Sequence, residues 1–152
     1  MVLVGFGLFV GGAVISTVGL TAVFVPTDLQ FLVTGADALR SANPRLVPFI
    51  AHDRAGFGGA LLAAGTAVTL LSMWGWRRGE SWVWWSLLLA ATAGFLPAVV
   101  VHWSIGYTDL LHLGPMYVAI GVTATALGLA RPYLCARPSP VHAPARELIG
   151  LS

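Results

Sequence analysis

Four apolar stretches, each long enough to cross a lipid bilayer, decide what this chain can fold into. They cover about residues 2–25, 50–76, 82–103 and 109–130. At 1.5 Å of rise per residue, about 20 residues suffice for a hydrocarbon core of roughly 30 Å. Backbone inside such a core must satisfy its own N–H and C=O groups, so the stretches are expected to be helices. The expected fold is an all-α integral membrane protein: a four-transmembrane-helix bundle over 1–131, followed by a Pro-rich mobile tail over 132–152.

Composition agrees with this. Hydrophobic side chains make up 57% of the 152 residues and charged ones 9%, whereas a soluble domain carries about 25% charge. The eight basic residues are all Arg and lie scattered, which excludes a nucleic-acid footprint. Cys135 is the only cysteine, so neither an internal disulfide nor a Cys-x-x-Cys metal motif can form. The first run, Val2 to Val25, has no basic residue before it and no small-x-small cleavage site, and is expected to be a retained span.

Local signals mark the boundaries. Pro26 closes the first span, and Thr27-Asp28-Leu29-Gln30 has the capping-box pattern, with Thr27 as N-cap, for a short interfacial helix around 28–35 in the first outer loop. Pro48 suits the first turn of the second span. Arg77 to Ser81 and Ser104 to Thr108 are expected to be tight turns, with Thr108 capping the fourth span and Pro97 kinking the third.

Trp74, Trp76, Trp82, Trp84 and Trp85 at one boundary, and Trp103 with Tyr107 at the other, resemble interfacial aromatic belts. Four spans put both termini on one side. That side holds Arg77, Arg78, Arg131, Arg137 and Arg146 against Arg40, Arg45 and Arg54, so a multi-pass cell-membrane protein with cytoplasmic termini is expected.

This topology gathers His52, Asp53, Arg54, His102, Asp109 and His112 at the outer face. Helical steps from each His meet mostly small residues: Gly56, Gly59, Ala63 and Ala67 from His52; Ala98, Gly94 or Phe95, and Ala91 from His102; Pro115 or Met116, Ala119, Thr123 and Ala126 from His112. Small faces are where membrane helices approach closely, so all three imidazoles are expected to point into the bundle. Ionisable groups there are costly and suggest function.

Three functional readings fit. His52, His102 and His112 with Asp53 or Asp109 could ligate a transition metal. A His pair from two helices could hold haem b axially. The cluster, with Arg54 and Tyr107, could bind the polar head of a quinone or lipid, or pass protons. In the alternative structural reading the same residues cap and anchor helix ends.

Other motifs carry less. Gly7-x-x-x-Gly11 fits a packing seam inside the bundle. No strand precedes Gly5-Phe6-Gly7 or Gly56-Phe57-Gly58-Gly59, which excludes a phosphate loop. Ser16, Thr17, Thr21, Thr66 and Thr69 are expected to bond carbonyls one turn earlier. No catalytic residue and no reaction is assigned. Small size, the lack of a sharp motif and the Pro-rich tail point to an accessory subunit packed in a membrane-protein complex or homo-oligomer. A membrane redox or metal-site protein is the alternative.

Overall fold

A computed structural model describes residues 1–136; of the mobile tail expected over 132–152, residues 132–134 belong to the last helix instead, and the rest from 137 on, with Arg137, His142 and Arg146, lies outside the described residues. Within that range the chain is all-helical, with α1 Val2–Leu20, α2 Pro26–Leu32, α3 Ala36–Ala42, α4 Leu46–Trp74, α5 Ser81–Ser104 and α6 Leu110–Leu134. The four long helices are each apolar and long enough to span a membrane. They coincide with the expected stretches, although α1 stops at Leu20, while α4 starts four residues early and α6 ends four residues late.

Large apolar side chains point outward along all four, with Leu3, Leu111 and Leu129 each about four-fifths exposed. A protein in water buries such groups, and outward apolar faces of this length are compatible with helices that meet lipid. Thr17, Thr21, Thr66 and Thr69 donate to carbonyls one turn earlier, as expected, and only Ser16 differs, reaching across to Ala55 O at 3.5 Å.

α1 and α4 form an antiparallel pair joined by glycines seven residues apart. Gly5, Gly12 and Gly19 of α1 are buried against α4, whose Gly58, Gly65 and Ser72 repeat the same spacing. Seven residues is two helical turns, so each set forms one straight stripe. The stripes meet backbone to backbone: a Cβ on Gly12 would lie 2.6 Å from Gly58 O, and one on Gly65 would lie 2.5 Å from Phe9 N. The expected seam of Gly7 and Gly11 is a miss, because both face open space.

α5 and α6 form a second hairpin, closed by side chains rather than glycine. Val83, Leu87, Leu127, Ala130 and Leu134 make its core, against which Met1, Val68 and Leu71 pack from the first pair. Trp84 is not part of a surface belt: its indole donates to Leu127 O at 2.9 Å, and Arg131 lies 5.7 Å above its ring.

The segment between α1 and α4 folds as two short helices rather than one. α2 starts at Pro26, with Val25 and not Thr27 as N-cap. Pro suits N1, and the Asp28 carboxylate at N3 reaches back to Val25 N–H at 2.8 Å, the role expected of Gln30. A further cluster of Val23, Phe24 and Val47 ties this segment to the start of α4.

Candidate functional site

Three helix caps build a polar centre at the α2 end of the bundle. The first is the start of α2, which places Asp28 with its side chain 6% exposed. A carboxylate that deeply buried needs charge and hydrogen-bond partners. Asp28 accepts from Val25 N–H, from Arg54 Nη2 at 2.6 Å and from the Tyr107 hydroxyl at 3.0 Å. It thus ties α2 to α4 and to the α5–α6 turn.

The second cap ends α5. Gly106 takes φ +76°, Tyr107 N–H bonds to His102 O at 3.0 Å and Gly106 N–H bonds to Trp103 O at 3.3 Å. This is the Schellman arrangement, in which a left-handed glycine turns the chain and brings the next residue back over the last helical turn. The residue brought back is Tyr107, buried, with its ring 5.9 Å from that of His102.

The third cap begins α6. Asp109, and not Thr108 as expected, is the N-cap, its carboxylate accepting from His112 N–H at 3.0 Å. This orients His112 so that its ring stacks on Tyr107 at 4.2 Å and 23°. Phe31 of α2 stacks on Tyr107 as well, at 4.5 Å and 19°, giving a column of three rings.

His102 and His112 meet directly, Nε2 to Nε2 at 3.3 Å. The tautomers follow from their neighbours. Ala98 O can only accept, so the 2.7 Å contact to His102 Nδ1 is an N–H donation. The Nε2 of a neutral His102 is then an acceptor, and His112 Nε2 carries the shared proton. Burial pushes the Tyr107 phenol above its ordinary pKa of 10.0, and the adjacent Asp28 acts in the same direction.

The structure therefore brings together His102, His112, Tyr107 and Arg54, with Asp109 as a cap. It does not bring in His52 or Asp53. Their side chains are 83% and 62% exposed, and among the described residues their one polar side-chain contact is with each other, at 3.4 Å. The reason is helical phase. α4 has two small-residue faces roughly 120° apart at 100° per residue, and α1 covers the one with Gly58 and Gly65, leaving Gly56 and Gly59 below His52 open. Asp28 is the residue that the sequence reading missed as a site member, having been assigned only to a capping pattern.

Two expected cofactors lose their geometry. Among the described residues no three His, Cys, Asp or Glu side chains form a metal-holding group. A haem held by two imidazoles needs its porphyrin plane between the rings, whereas His102 and His112 are in hydrogen-bond contact. Of the residues in the quinone or polar-head reading, Arg54, Tyr107, His102 and His112 lie together in the centre, and His52 and Asp53 do not.

No protein-family model matches the chain, and no curated protein or solved structure is significantly similar to it. The site is accordingly argued from its own chemistry.

Proposed function

We propose that this protein spans the membrane as an accessory subunit whose α5–α6 hairpin packs against the helices of a larger assembly. The observation that carries the reading is the state of the glycines. Gly114, Gly121 and Gly128 of α6 repeat the seven-residue spacing of α1, yet nothing lies within 4 Å of a Cβ built on any of them, and Gly94 of α5 is equally open. In α1 and α4 that pattern is sealed by another helix. In lipid such faces are contact surfaces for helices.

Gly114→Leu and Gly121→Leu test the reading by native electrophoresis and crosslinking of the full chain in mild detergent. The expected result is loss of a stoichiometric partner or oligomer with an unchanged melting temperature. A wild-type chain that is monomeric and partner-free, in native membranes as well as in detergent, overturns it.

A second reading is supported by the polar centre: a site at the outer membrane face for the polar head of a lipophilic molecule. Asp28, Arg54, Tyr107 and the His pair supply donors and acceptors at one end of otherwise apolar helices. Ionisable groups at such a position are the usual mark of a functional site in a membrane protein.

A further inference from the structure

We infer that the cavity beside Phe31 and Tyr107 takes a planar, quinone-class head group, and that Phe31 is the ring such a head displaces. The inference rests on the second reading above and names its ligand.

A cavity of about 270 Å³ opens at the edge of the Phe31–Tyr107 stack. It falls below the roughly 300–1,000 Å³ of drug-sized pockets, which suits a head one or two rings wide with its tail left in lipid. Its other walls are Thr27 and Gln30 of α2 and Gly106, Thr108 and Asp109 of the α5–α6 turn. Thr108 and Asp109 stay with the α5–α6 hairpin when α2 moves: a threonine hydroxyl can donate to a ring carbonyl oxygen, and a carboxylate can accept from the hydroxyl of a reduced ring.

The aromatic column shows where the ring goes. Tyr107 and His112 belong to the α5–α6 hairpin, and their stack is fixed by the two caps that position them. Phe31 is the outermost ring, 40% exposed, and it is carried by α2. Moving α2 outward frees one face of Tyr107 as a flat slot one ring thick. A planar aromatic group recovers the offset stacking that Phe31 gives up.

α2 is built to move. Val23 before it and Val33 after it have φ of +65° and +51°. Branched side chains are genuine outliers in that region, and such strain persists only where surrounding contacts impose it. Here the imposing contacts are those of Asp28 with Arg54 and Tyr107, together with the packing of Val23 and Leu29 against Phe24 and Val47. Strain on both sides of a seven-residue helix, held down by a buried carboxylate and a small apolar cluster, is the arrangement of a latch over the slot.

The test uses the full chain in nanodiscs with decylubiquinone as probe, empty nanodiscs as blank and decanol as the tail-only competitor. Saturable binding that decanol does not displace is expected. Phe31→Ala should tighten it about tenfold and Phe31→Trp, which fills the slot, should weaken it to a similar extent. Melting temperatures identify any variant that fails to fold, and Phe31→Leu, which keeps apolar cover without a flat ring, serves in its place and should tighten binding. Absence of saturable binding, or displacement by decanol, overturns both the inference and the reading beneath it. Saturable binding indifferent to every Phe31 variant overturns the inference and leaves the head-group site standing.

Discussion

Tyr107 carries more of the polar centre than any other single residue, because it donates to Asp28 and stacks on Phe31 and His112. Its phenol titrates above 10.0 in the fold because burial and the Asp28 charge disfavour the phenolate. A raised folded-state pKa means that this contribution to stability is complete below pH 10 and is lost as pH rises through the folded value. Tyr107→Phe should lower stability by about 1 kcal/mol at neutral pH through the lost hydrogen bond. It should also flatten the decline above pH 10, as read by melting in detergent at stepped pH. An unchanged alkaline slope would mean that another group controls it. How much of this centre was legible follows from the same residues. His102, His112, Arg54 and Tyr107 could be found from the ends of the spans, since polar groups there are few. Asp28 was visible too, as a carboxylate at the end of an apolar run with Arg54 as a nearby cation, but its capping pattern explained it too early.

At the scale of elements, the sequence fixes the number of spans more firmly than the way they pair, because apolar runs are local whereas pairing depends on which face of each helix meets a partner. The deciding signal was present as the matched spacing of Gly5, Gly12 and Gly19 with Gly58 and Gly65. Reading the shorter Gly7 and Gly11 repeat instead left the wrong face of α1 inside, and assuming that small residues below His52 faced the core did the same for α4. The contrast can be measured. Gly12→Ala and Gly65→Ala put a Cβ 2.5–2.6 Å from neighbouring backbone and should cost about 1–3 kcal/mol through forced separation of the helices. Gly7→Ala and Gly11→Ala meet open space and should be neutral or stabilise by a few tenths, about the gain from helix propensity. Equilibrium unfolding in mixed micelles ranks the four, and equal effects at all four would dismiss the glycine seam. α2 offers a second comparison. Val33 is the left-handed residue at its C-terminus, a place favoured by glycine, with Thr34 N–H bonded to Leu29 O behind it. Because Val33 is 88% exposed, Val33→Gly gives up little burial and should stabilise by up to about 1 kcal/mol. A loss of stability there would mean the valine is not strained.

For the whole molecule, the architecture makes a claim about sides. An even number of membrane-long helices returns the chain to the side on which it began, so Met1, the Arg77–Arg78 turn and Cys135 share one end, and α2, α3 and the polar centre share the other. The count of basic residues along the sequence is the ground for expecting that first end in the cytoplasm. Cys135 is exposed and is the only cysteine in the chain, which makes it a reporter without further engineering. In intact cells a membrane-impermeant maleimide should leave it unlabelled, and permeabilisation should make it reactive. Cysteine introduced at Val33 in a Cys135→Ser background should behave in the opposite way, because that residue is exposed at the far end. Labelling of both from outside would contradict the four-span topology, whereas a clean exchange of the two patterns would keep the four spans and invert the orientation. Inversion would also move the polar centre to the cytoplasmic face, so this one experiment fixes from which side the centre can be reached.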